Sequence, residues 1–381
     1  ILGVVILLNR RTADTPAEEG ARLDLVGTGL SALGLGVVVY GVLRIGTWGV
    51  VLPKPGAPTW LGLSPVIWLI FAGGAVLFGF LAWEAHRRDT GRPALLDPVI
   101  LRVRLLRKGL MSFFFQYLLQ AGLFFAVPLF LSVVLGLSAI ATGVRILPLS
   151  ITLVIAAVGI PKVFPTASPR RICRLGFFAL FLGLVVFVAA LDAGAGPEIV
   201  TWPMLLAGLG IGMLASQLGA ITVSALPDEQ SGEVGGLQNT FSNLGLSIGT
   251  ALAGAVLLSV LTSSFISGIQ NNPSVPKDIS SKAQVELTSG VPFISDADLK
   301  AALNDAGVKG ATATAIVDEN ANARLDALRA SLSLLAVIAV VALLFSGSLP
   351  TDPAGGGAED TEISTREPRA REPAQAIDGH P

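Results

Sequence analysis

The sequence predicts an all-α integral membrane protein, and two observations carry that reading. The first is composition: 52% of the 381 residues are hydrophobic and 14% are charged, against about 25% charged in an ordinary soluble domain. The second is the bunching of those charges. No Asp, Glu, Lys or Arg falls between Asp24 and Arg44, Lys54 and Glu84, Lys108 and Arg145, Arg145 and Lys162, Arg174 and Asp192, Glu198 and Asp228, Glu233 and Lys277, or Arg329 and Asp352. A helix needs about 20 apolar residues to cross the hydrocarbon core, and most of these windows supply them.

The elements follow in chain order. Residues 1–8, "ILGVVILL", form an apolar run with arginines after it. A secretory signal has the reverse order, so the run reads as the end of a truncated transmembrane helix and the chain as a C-terminal fragment. Spans are expected at roughly 23–44 and 64–84, followed by a loop at 85–109. Six more spans are expected within 110–349, at roughly 110–135, 140–162, 174–192, 200–224, 238–261 and 330–349. The windows at 145–162 and 174–192 are tight, and their flanking residues must reach the interface. Residues 350–381 are rich in Pro, Gly and charge and read as a disordered tail.

Basic residues set the orientation. One side of the membrane collects Arg10, Arg11 and Arg22, the seven Lys and Arg from Arg87 to Lys108, and Lys162, Arg170, Arg171 and Arg174, fourteen in all. The short loops of the other side hold only Arg44 and Lys54. The positive-inside rule makes the fourteen-cation side cytoplasmic, which places 263–329 outside and the C-terminus inside. Within 263–329, Ser295 and Asp298 have capping-box spacing ahead of a short helix ending at Gly307. "VDENANARLDALRASL" should run straight into the last span.

Several spans carry more polarity than lipid tolerates cheaply. "LPDEQSGEVGGLQNTFSNLGLSIGTALAGAVL", residues 226–257, holds Gln238, Asn239, Ser242, Asn243 and Ser247 beside a GxxxG, Gly245 to Gly249, that Ala253 extends. Small residues let helices pack closely where lipid supplies little hydrophobic drive. The amides either lock helix to helix or line a wet pathway, and both readings stay open. Gln116 and Gln120, four apart, share a helix face. Gln217 sits in another small-residue span, and Pro128 and Pro148 interrupt theirs. Arg145 lies inside its window; it either snorkels to headgroups or faces a cavity to pair with an anion.

Absences also inform. Cys173 is the sole cysteine, and His86 and His380 are the only histidines. No zinc-type spacing exists, so no metal and no cofactor is expected, nor a nucleic-acid partner. With no paired carboxylates in the spans, no nucleophile–base constellation supports an enzyme. Apart from Asp24 and Glu84 at span ends, no acid lies in a span. A proton-coupled transporter normally needs one, so any coupling carboxylate is expected in a missing N-terminal part.

These stretches resemble the major facilitator superfamily, and within it the fourteen-span drug:proton antiporter branch. "RLDLVGTGL" is similar to the opening of the first extra central span, and "YGVLRIGTWGV" to its exit. "RPALLDPVILRVRLLRKG" resembles the stretch before the last six spans, and "GLSAIATGVRILPLS" the second span of that half, where Arg145 stands at a position often basic. "LPDEQSGEVGGLQNTFSNLGLSIGTALAGAVL" is the most specific match. The loop "PKVFPTASPRRICRLG" departs from the family's gating loop: Pro169, Arg170 and Arg171 fit, but Pro165 stands at the acidic position and Ser168 at a glycine. The resemblance implies a cytoplasmic hinge at 9–22, two linker helices within 23–84 and a C-terminal six-helix bundle within 110–349, in a bacterial plasma membrane. It implies alternating access, export of small lipophilic compounds against protons, and a monomer when full length, in contact with membrane lipid. Export of a native metabolite or lipid, or a non-transporting scaffold built around 263–329, remains the alternative.

Overall fold

A computed structural model describes residues 24–349, except 55, 193, 228–229, 287–290 and 348. The expectations for 1–22 and 350–381 lie outside the described residues. Among the described residues, eight helices are long and apolar enough to cross a membrane.

The first two form a hairpin: α1 (Leu25–Leu43) and, after the short α2 (Ile45–Trp48), α3 (Pro65–Asp89). Glycine makes their close approach feasible. A Cβ on Gly73 would sit 2.8 Å from the Gly34 carbonyl, and one on Gly34 would press the Leu77 side chain. The turn between them is closed by Ser64 Oγ donating to the Gly49 carbonyl at 2.7 Å and Lys54 Nζ donating to the Gly46 carbonyl at 2.8 Å. The Arg44 guanidinium lies over the rings of Tyr40 and Trp48, 5.2 and 5.1 Å from their centroids.

Six helices form the bundle: α4 (Arg104–Leu129), α5 (Ala139–Val163), α6 (Pro169–Ala190), α7 (Thr201–Val223), α8 (Ser231–Asn271) and α11 (Gly310–Ser346). Between the last two come α9 (Lys277–Glu286) and α10 (Asp296–Asp305). Helix α4 packs on α8, α5 and α6 each pack on α7, and α11 packs on α4, α6 and α8. The hairpin joins through α1 and α2, which lie against α8. Phe130, Phe177, Phe187, Leu180, Leu214 and Leu328 belong to the buried core shared by this bundle.

Small residues fix which helices pair. Gly245 and Gly249 of α8 face α4: a Cβ on Gly245 would stand 2.5 Å from the Phe114 carbonyl, and one on Gly249 would collide with the Leu118 carbonyl. Gly208 and Gly212 present the same arrangement to the Leu149 and Leu153 carbonyls of α5, and Gly176 and Gly210 face one another across α6 and α7.

Several helices outrun the expected spans. With about 1.5 Å rise per residue, α8 at 41 residues and α11 at 37 extend well beyond a core about 30 Å thick. The stretch 263–329 therefore begins and ends in these two helices, with α9 and α10 between them, and the last helix does run unbroken from Gly310. Pro128 stands where α4 gives way to a π-helical turn, Phe130–Val134. Pro148 instead sits within α5, which continues to Val163. Ser295 caps α10, its Oγ accepting from the Asp298 N–H at 3.2 Å, and Gly307 follows that helix with φ of +77°.

Gly249→Leu must force α4 and α8 apart, at a cost of at least about 1–3 kcal/mol. It should lower the melting temperature and the yield of monodisperse protein in detergent. Gly143→Leu, where nothing lies within 4 Å, should leave both unchanged. Equal stability of the two variants would mean that α4 and α8 do not pack through this face.

Candidate functional site

The sequence-selected residues fall into three groups. On α8, polarity is sorted by face. Ser242 is buried beside Gly245, Gly249 and Ala253. Roughly a quarter-turn away, Asn239, Asn243 and Thr250 are exposed. Asn243 Nδ2 donates to the Asn239 carbonyl at 2.9 Å and to its Oδ1 at 3.0 Å, so the two amides form a ladder along the helix. Gln238 points the other way and donates from Nε2 to Thr222 Oγ1 of α7, joining two helices.

On α4, Gln116 is buried, and its Oε1 has no hydrogen-bond partner among the described residues. Gln120 is half-buried. A buried acceptor of this kind calls for a donor from water or a ligand. On α7, half-buried Gln217 bonds to neighbouring Ser216 at 3.3 Å. Arg145 on α5 is half-buried, next to a stripe of Ile140, Val144, Leu147, Ile151, Val154 and Val158 that is exposed along its whole length. Apolar exposure on this scale marks a surface covered by lipid or by protein.

The third group, Pro169, Arg170 and Arg171, was expected in a gating loop and instead forms the first turn of α6. Pro169 begins the helix and is buried. Arg170 Nε donates to the Leu349 carbonyl past the end of α11. Arg171 is exposed and lines, with Arg174, Leu175, Phe178 and Leu343, an open cavity of about 390 Å³.

Two buried clusters were not marked as sites from the sequence. Arg324 of α11 is 1% exposed and pairs with Asp296, while its Nη1 donates to the Ile294 carbonyl at 2.9 Å. It ties the start of α10 to the bundle. The signal available was an arginine amid small and apolar neighbours, "NANARLDALRASL". The other cluster joins Asp24 to Glu84. Asp24 caps α1, accepting from the Gly27 N–H at 2.9 Å, and takes the Trp83 indole N–H at 3.0 Å and Arg87 Nε at 3.3 Å. Glu84 is fully buried.

This architecture has a match. The family model of the Major Facilitator Superfamily fits residues 4–250. The chain belongs to the Major Facilitator Superfamily. Members of this superfamily are transporters rather than enzymes. Among curated relatives, the chain is 25% identical to the "Probable actinorhodin transporter" of Streptomyces coelicolor over 302 residues, 78% of this chain and 48% of that protein. It is 28% identical to the "Tetracenomycin C resistance and export protein" of Streptomyces glaucescens over 260 residues, 68% of this chain and 44% of that one. It is 24% identical to the "Multidrug efflux pump LfrA" of Mycolicibacterium smegmatis over 320 residues, 77% and 59% respectively. The chain spans about half the length of the curated relatives it matches. These relatives fit the drug-efflux branch of the superfamily.

The Gln238–Thr222 bond should register as a coupling between helices. A double-mutant cycle of Gln238→Leu and Thr222→Val, read by unfolding in detergent, should give about 0.6 kcal/mol and no more than about 1.7. Strict additivity would mean that this bond is not made in the folded protein.

Proposed function

We propose that this chain supplies one helical bundle and two linker spans of a proton-coupled exporter of small lipophilic compounds. The observation that carries the proposal is the exposed amide ladder of Asn239 and Asn243 on α8. Two carboxamides in an otherwise apolar helix are costly against hydrocarbon, and no described helix covers them. A second bundle would enclose them in a central cavity, where they can hydrogen-bond a substrate.

In this reading, residues 1–8 end a helix of the other bundle and 9–22 are the hinge. Residues 23–84 are the linker spans, 85–109 a cytoplasmic loop, 110–349 the second bundle and 350–381 the tail. Alternating access then follows from rocking of one bundle against the other around a fixed site. Gln116, Gln120, Arg145 and Gln217 are further pathway candidates: Gln116 has an acceptor free for a bound donor, and Arg145 can pair with an anionic substrate or a carboxylate of the other bundle. Arg170 and Arg171, in the first turn of α6, serve the gate at the basic end. In this reading the protein works as a monomer in a bacterial plasma membrane; the basic loops support a cytoplasmic C-terminus. The names of the relatives support export of drugs or antibiotics. Two of them are named for single antibiotic compounds, which supports a second reading: export of one native metabolite.

In vesicles holding the full-length protein, Asn239→Leu or Asn243→Leu should slow substrate flux at least about tenfold, the effect of losing about 1.4 kcal/mol from the translocation barrier. Membrane insertion should be unchanged. Wild-type flux in both variants would remove the amide ladder from the pathway, and flux insensitive to a protonophore would remove proton coupling.

A further inference from the structure

The Asp24–Glu84 cluster holds two buried carboxyl groups from residues far apart in sequence. Asp24 is 6% exposed and Glu84 0%. Their side chains lie within hydrogen-bond reach of each other. Both crowd the same point: a Cβ on Gly27 would collide with Glu84 Oε1 and stand 2.6 Å from Asp24 Oδ2. Glycine at 27 leaves the room in which the two meet.

The donors are unevenly shared. Asp24 is served by the Gly27 N–H, the Trp83 indole and Arg87. Glu84 Oε2 accepts the backbone N–H of Leu95 at 2.7 Å and of Leu96 at 3.4 Å. Glu84 Oε1 is buried with no partner among the described residues. It points toward Asp24, which itself has no hydrogen to give when ionised. One group completes this arrangement, a proton on Oε1 donated to Oδ2.

We propose that Asp24 and Glu84 form a proton-binding site, one proton held between Glu84 Oε1 and Asp24 Oδ2, that latches the 92–103 segment onto the linker hairpin. With one proton, the pair carries a single negative charge, and Arg87 balances it. Without the proton, two buried carboxylates repel at close range, which disfavours holding both charges. The latch follows from Glu84 Oε2, which grips Leu95 and Leu96 while Oε1 carries the proton. On the far side of the segment, Glu233 of α8 accepts the Asp97 N–H at 2.9 Å. The segment thus bridges the hairpin to the bundle, over a small core of Phe80, Leu96, Ile100, Leu106, Leu110 and Val234.

The charged surroundings are few. Helix α1 brings no charged residue of its own beyond its cap, Asp24. On α3, Arg87 faces the pair, Arg88 is turned to Asp89 and Asp97, and His86 is exposed beside Trp83. The segment itself adds exposed Arg92 and Arg102, α8 adds Glu233, and α4 adds exposed Arg104 and Arg107 and half-buried Lys108. Arg22 precedes Asp24 by two positions, outside the described residues. The site stands apart from the amide ladder of α8, and its proton is independent of whether the protein transports.

The test is pH-difference infrared spectroscopy of the full-length protein in nanodiscs. Wild type should show a protonated carboxyl band at neutral pH that disappears as pH rises, and glutamate 13C-labelling should shift it. In E84Q the amide replaces the proton as donor and keeps the grip on Leu95, so this band should be absent while the fold persists. In D24N it should also be lost, because the carboxamide introduced there donates to an ionised Glu84. A wild-type spectrum with no glutamate-derived protonated band, or a band that survives in both variants, overturns the proposal. Melting temperature gives a second readout: it should fall with rising pH in wild type over the window where the band disappears, and stay flat there in E84Q. Parallel curves for the two proteins would also overturn it.

Discussion

The fold depends on close approach of backbones in a medium that gives apolar side chains little reason to associate. At the crossing of α4 and α8, Gly245 and Gly249 leave no room for even a methyl group against the Phe114 and Leu118 carbonyls. Gly208 and Gly212 do the same between α7 and α5, and Gly176 and Gly210 between α6 and α7. These contacts decide which side of each helix is spent on packing. The remaining sides are then determined. On α5 the leftover side is an apolar stripe, and on α8 it is the amide ladder of Asn239 and Asn243.

Buried polarity is used sparingly, and mostly to hold irregular chain in place. Arg324 secures the start of α10 through Asp296 and the Ile294 carbonyl. Asn272 Nδ2 donates to Glu319 Oε1 at 2.8 Å, and Thr262 Oγ1 accepts the Val291 N–H at 3.1 Å. At the basic end, Glu84 and Glu233 receive successive backbone N–H groups of one loop from opposite sides. A carboxyl oxygen accepting backbone N–H bonds is a directional tie, so loops at both ends are fixed by side chains of the long helices.

Much of this was legible in the sequence, because hydropathy and helix length report directly on lipid contact. Charge-free windows located the eight apolar helices among the described residues, and the GxxxG of α8 was visible as a motif. Helix ends were less legible. Helix α8 begins at Ser231 and ends at Asn271, since polar ends that leave the hydrocarbon can stay helical without an apolar signal. The pairing of Asp24 with Glu84 was not legible at all. Each lies at the edge of a charge-free window, as an interfacial acid would, and sixty positions separate them. Only the close approach of α1 and α3 at Gly34 and Gly73 brings them together. Arg324 was hidden in the same way, inside a stretch that read as an ordinary helix.

The central claim is that the exposed polar stripe of α8 borders water rather than lipid or protein. Aqueous accessibility of Asn243 measures this directly. Cys173 is fully buried, so it offers little background to a thiol reagent. Asn243→Cys in the full-length protein should react with a membrane-impermeant, hydrophilic maleimide, and bound substrate should slow the reaction. Ile151→Cys, on the apolar stripe of α5, should react far more slowly. An Asn243→Cys thiol as inert as that at position 151 would contradict the account, since the amide ladder would then be sealed against a neighbour and line no pathway.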